Sequence, residues 1–129
     1  TTTITVARGA SHKLTFIAKN PNSVLRYEFM TKKNNIEFGV TWLKMDGEGA
    51  REDDVTVVLP VHRYNSHLVP ESGELELQRP GTYAVTFDNS FSWTNAKTVT
   101  YCIQMLESAN GDEDNLSSAT GEKGEGKPY

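Results

Sequence analysis

With 129 residues and a mass of 14.3 kDa, the chain is the size of one domain built on one core. A formal charge of −4 and a pI near 5.3 argue against nucleic acid as a partner. No apolar run approaches the roughly 20 residues of a membrane-spanning helix, and one cysteine excludes an intramolecular disulfide framework.

A two-residue hydrophobic period then runs along most of the chain. Ile4 and Val6 alternate with threonines in a short segment suited to a sheet edge. Leu14, Phe16 and Ala18 alternate with Lys13, Thr15 and Lys19, and Asn20-Pro21-Asn22-Ser23 marks a turn. Leu25, Tyr27 and Phe29 follow, then the turn cluster Lys33-Asn34-Asn35, then Ile36, Phe38, Val40 and Trp42. Gly39 inside that strand predicts a bulge or a close backbone approach. After Asp46-Gly47-Glu48-Gly49, the series Val55, Val57, Leu59 and Val61 faces one side, with Val58 making the strand apolar on both.

Glu71-Ser72-Gly73 reads as a further turn before Leu75 and Leu77. Pro80-Gly81 precedes Tyr83, Val85 and Phe87. Asp88-Asn89-Ser90 is predicted to turn a corner, because Asn tolerates positive φ and Asp or Ser bonds the turn backbone. The final strand carries Val99, Tyr101, Ile103 and Met105, and Cys102 within it is expected to be a small buried or half-buried hydrophobe. Eight short strands, each with one apolar face, predict an all-β antiparallel sandwich over residues 1–107. Residues 108–129 hold one large aliphatic, Leu116, among Gly, Ser and acids, and are expected to form a disordered acidic tail.

Charge is unevenly spread. Residues 1–45 carry seven Lys/Arg against two acids, whereas residues 46–107 carry four against ten. Lys32 and Lys33, with Lys13, Lys19 and Arg26 close in sequence, make a candidate basic patch for anionic headgroups. Trp42, Tyr27, Phe29 and Phe38 fall on inward-facing series, whereas Trp93 is out of register and is the candidate exposed aromatic anchor.

Catalytic and metal chemistry find little purchase. His62 and His67 lack companion ligands at metal-binding spacing, and their loop is expected to hydrogen-bond its own backbone through His and Asn side chains. Ser66 adjoins His67 only in sequence, and no nucleophile elbow, phosphate loop or dinucleotide fingerprint occurs. Asp112-Glu113-Asp114 resembles a calcium loop but places Leu116 and Ser117 where an oxygen ligand and Gly are required. No enzyme activity, cofactor or metal is expected.

Several blocks resemble the GOLD (Golgi dynamics) domain. Val24-Leu25-Arg26-Tyr27-Glu28-Phe29-Met30 and Ile36-Glu37-Phe38-Gly39-Val40 look like its central strands. The runs from Arg63 to Gly73 and from Pro80 to Ser92, with Arg8-Gly9-Ala10-Ser11-His12 and Asn95-Ala96-Lys97, resemble the GOLD domain that ends CRAL-TRIO lipid-transfer proteins. The likeness spans roughly residues 4–106. It implies a jelly-roll β-sandwich and a non-catalytic module for protein–protein or membrane association. Partners would be a protein, an anionic membrane surface, or both, contacted through Lys32, Lys33, Arg26 and Trp93. A hydrophobic ligand would sit in an adjoining CRAL-TRIO domain absent from these residues. The alternative is a GOLD-containing adaptor in Golgi or endosomal trafficking without lipid cargo. The expected location is cytoplasmic, with peripheral attachment at the Golgi or other membranes.

Overall fold

The computed structural model describes residues 1–44 and 55–107; the predicted turn at Asp46–Gly49 and the predicted tail lie outside the described residues. The period-two pattern becomes eight strands: β1 (Thr2–Val6), β2 (Ser11–Ala18), β3 (Ser23–Thr31), β4 (Ile36–Lys44), β5 (Val55–Tyr64), β6 (Glu71–Leu77), β7 (Gly81–Asp88) and β8 (Lys97–Leu106). They pair antiparallel in two four-stranded sheets, ordered β1-β8-β3-β6 and β2-β7-β4-β5. Only the β4–β5 connection stays within a sheet; every other connection crosses from one sheet to the other. That nested crossing is the jelly-roll sandwich, and β1 is an edge as its short threonine-rich sequence predicts.

The inward faces meet in an aromatic cluster. Phe29 and Phe38 rings lie 4.5 Å apart, Tyr27 and Phe38 4.9 Å, and Phe87 packs 5.2 Å from Phe29. Phe29, Phe38 and Phe87 come from both sheets and are essentially fully buried, as are Leu25, Ile36, Val40 and Val85. These offset and edge-to-face contacts fill the space between the sheets and link β3 and β8 to β4 and β7.

Three expectations change. β5 does not present Val55, Val57, Leu59 and Val61 on one inward face. Its register against β4 slips between Phe38 and Val40 and again between Val40 and Thr41, so Val40 faces Leu59 but Thr41 faces Val57. Each extra residue reverses the parity, which leaves Val55, Val57 and Val61 exposed while Val58 and Leu59 pack on the core. Gly39 sits at this slip as its sequence predicts: a Cβ there would lie 2.7 Å from Val61 Cγ2.

Glu71-Ser72-Gly73 is not a turn but the start of β6. Gly73 is small there for packing, since a Cβ would sit 2.5 Å from the Tyr27 hydroxyl that lies across it. Cys102 is exposed rather than buried. Tyr101 and Ile103 turn inward to the core, so the alternation of β8 sends the residue between them outward, opposite Glu28.

Candidate functional site

The crossing connections place four loops at one end of the sandwich: residues 7–10, 32–35, 65–70 and 89–96. Sequence-distant segments are joined there by a dense set of hydrogen bonds. Gly9 N donates to Asn89 O and Asn89 N donates to Ala10 O, tying the first loop to the last. Lys32 N donates to Thr98 O, and Thr31 N donates to Ser66 O. The Thr31 and Ser66 hydroxyls are 2.8 Å apart and buried, so Ser66 serves as a strut between β3 and the third loop.

Asn89 and Lys97 form the hub. Asn89 is fully buried, and its amide donates to Val6 O, Ala7 O and Asn95 O at 2.9 to 3.2 Å. Its Oδ1 accepts from Lys97 Nζ at 2.8 Å, and the same ammonium donates to Asn35 O at 2.8 Å. Lys97 is only 3% exposed, with its ammonium 4.4 Å from the centre of the Phe91 ring; the Arg63 guanidinium lies 3.8 Å from that ring. Burial, reinforced by Arg63 and opposed by Glu37, pulls the Lys97 ammonium below the ordinary lysine range. One buried cation thus bridges the second and fourth loops, and Asn89 bridges the fourth to the first.

On this frame the surface is apolar at its tips and basic around them. Trp93 is 86% exposed, Leu68 70% and Val69 67%, the three highest values among the large hydrophobic side chains described. Leu68 and Val69 are presented by a turn in which both backbone N–H groups donate to Asn65 O. Arg8, Lys32 and Lys33 are exposed, and Arg8 Nη1 reaches Trp93 O at 3.4 Å. The four loops contain no Asp or Glu.

The fold brings Lys32, Lys33 and Trp93 to this end but breaks up the basic patch predicted from sequence. Arg26 points from the outer face of β3, where its Nε pairs with Glu74 Oε2 at 3.0 Å. It lines a shallow depression of about 270 Å³ with Glu28, Ser72, Cys102 and Gln104. Lys32 lies six steps further along the extended chain, roughly 20 Å away. Lys13 lies on the outer face of the other sheet and Lys19 at the opposite end. Closeness in sequence fails here because a strand carries the chain across the whole molecule within a few residues.

The histidine loop also differs from expectation. His67 Nδ1 is buried without a hydrogen-bond partner among the described residues, and Asn65 Oδ1 accepts from Asn35 Nδ2 rather than from its own backbone. Backbone groups make this turn instead. Asp88 does bond the turn that follows, with its Oδ1 accepting from Ser90 N at 2.8 Å. Among the described residues the non-glycine at positive φ is Asn22, however, and Asn89 contributes through its side chain. Sequence reading missed Arg8, Leu68, Val69 and the Asn89–Lys97 hub. For Lys97 a signal exists: it shares the inward parity of Val99, Tyr101 and Ile103.

The chain matches no family model. Protein ctg-1 of Caenorhabditis elegans is 30% identical over 101 residues, which cover 78% of this chain and 26% of that protein. FYVE and coiled-coil domain-containing protein 1 of Mus musculus is 31% identical over 92 residues, 71% of this chain and 6% of that protein. Its Homo sapiens counterpart is 32% identical over 81 residues, 63% of this chain and 5% of that protein. The chain therefore spans about a quarter of one relative and about a twentieth of the others.

Proposed function

We propose that this chain is a non-catalytic GOLD-type interaction module of a larger carrier of the CRAL-TRIO kind, acting in the cytoplasm without a cofactor. The observation that carries the reading is the loop end, where exposed Trp93, Leu68 and Val69 stand beside acid-free cationic loops on a hydrogen-bonded frame. Exposed apolar residues held in place by buried polar struts suit a surface that docks onto something. The jelly-roll strand order is the one that the GOLD resemblance implies. Aromatic rings pack the space between the sheets, which supports placing a carrier's hydrophobic cargo in an adjoining domain. The small share of each relative that the chain spans supports a module within a longer protein.

A second reading, an adaptor in Golgi or endosomal trafficking without lipid cargo, draws support from the coiled coil in the name of the mouse and human relatives. Heptads encoded upstream of Thr1 would favour it over the carrier. The test of the module reading is the size of the native protein in a tissue extract, detected with an antibody against residues 1–107. A band far above 14.3 kDa is expected. A band near that mass overturns the module reading and makes the sandwich a free-standing binding protein.

A further inference from the structure

Resting on the loop end as the docking surface, we propose that its occupant is an anionic lipid bilayer, entered by Trp93 and the Leu68–Val69 tip. Arg8, Lys32 and Lys33 form the cationic collar that meets the headgroup phosphates. Three features favour a bilayer over a folded protein.

The exposed apolar side chains come from two separate connections, Leu68 and Val69 from 65–70 and Trp93 from 89–96. Tips of this kind suit a fluid interface that closes around each of them, whereas a protein interface is built around a continuous packed core. Trp is the side chain whose apolar rings and N–H suit the headgroup boundary. The loops themselves carry only cations, Arg8, Lys32 and Lys33, while the nearest acids, Glu37, Glu71 and Asp88, sit on the adjoining strand ends, with Glu37 paired to Arg63. The cationic loops are the complement of an anionic surface, and interfacial binding strengthens with buried apolar area and electrostatic attraction to anionic lipids together.

The orientation is consistent with the rest of the molecule. β8 ends at Leu106 at the opposite end, so the chain leaves the sandwich away from the bilayer. β4 ends at Lys44 and β5 begins at Val55 at that far end as well. The hub matters as well. Asn89 and Lys97 hold the loops from within, so the tips stay presented instead of folding back over exposed apolar surface.

The experiment is co-sedimentation of the full chain with phosphatidylcholine vesicles, with and without phosphatidylserine, at low and high salt. The wild-type chain is expected to bind the phosphatidylserine vesicles, to release them in salt, and to show a blue-shifted tryptophan emission that Trp93→Phe abolishes. Lys32→Glu with Lys33→Glu, and separately Leu68→Ser with Val69→Ser, should each weaken binding by about tenfold or more. Ile17→Ser and Arg26→Gln, on the two sheets away from the loop end, should leave it unchanged. Unfolding midpoints confirm that each variant folds.

No binding by the wild-type chain, equal binding to both vesicle types, or binding untouched by the loop variants overturns the lipid assignment. So does an equal loss with Ile17→Ser. None of these results touches the module reading, which stands or falls on the native size. Conversely, a free-standing 14.3 kDa protein that binds through the same loops keeps the bilayer site and loses the carrier.

Discussion

Asn89 and Lys97 show how much one buried polar pair organises. Lys97 Nζ satisfies both Asn35 O and Asn89 Oδ1, so removing it strands two acceptors in a dry site. Lys97→Met should cost about 1–3 kcal/mol in urea unfolding, and Asn89→Ala at least as much, because three backbone carbonyls lose their donor. Gly39 and Gly73 are constrained differently. A methyl at Gly39 would meet the Val61 side chain and the Leu59 carbonyl, both on β5, so Gly39→Ala should cost about 1–3 kcal/mol by forcing that strand outward. The inward side of Lys97 is legible in its parity with Val99, but its partners are not. Asn35 and Asn89 lie far off or in a loop, and no local pattern announces a hydrogen bond that closes only when two sheets stack.

Among the strands, β5 is the least committed. It is an edge, it contains Pro60, and its two register slips twist it against β4. Pro and bulges are common devices against edge-to-edge aggregation, and here they offset the exposure of Val55, Val57 and Val61. Amide hydrogen exchange should find β5 opening more readily than β3, β4, β7 and β8, which are paired on both sides; equal protection would contradict this account. The far end has its own clasp. The Glu107 carboxylate accepts from Lys19 N at 2.8 Å, and from Asn20 N and the Asn20 amide at 3.2 Å each, fixing the β2–β3 turn. The alternation in β2, β3, β4, β7 and β8 was readable because each has one wet and one dry face. β5 was misread because a bulge obeys the partner strand and leaves no mark in its own composition.

At the scale of the molecule, burial pushes the phenols of Tyr27, Tyr64 and Tyr83 above the ordinary tyrosine value of 10.0. Above that value the unfolded chain loses phenolic protons that the native state retains, so the tyrosines contribute a fall in stability as pH rises. Lys97 acts in the opposite sense. Its native value lies below 10.5, so between the two the unfolded chain holds more protons and stability gains. Above pH 10.5 the lysine gain is largely complete while the tyrosines continue to favour the unfolded chain, which predicts a declining urea midpoint there. In Lys97→Met the opposing gain should disappear and the decline steepen; an unchanged profile would mean that Lys97 titrates as it does in the unfolded chain.

Strand number, fold class and most of the core follow from the sequence alone. Their cause is local: a side chain's face on a pleated strand is set by the parity of its position, as in Leu25, Tyr27 and Phe29. So is the exposure of Trp93, which falls in a loop where no such parity operates. What only the tertiary structure decided is which exposed residues stand together. Arg26 and Lys32 are neighbours in sequence and lie far apart, whereas Arg8, Lys32, Leu68 and Trp93 come from four separate connections to one end. The physical reason is the topology itself. Six crossings between two sheets return every second connection to the same end, so a surface is assembled there from segments that no stretch of sequence contains.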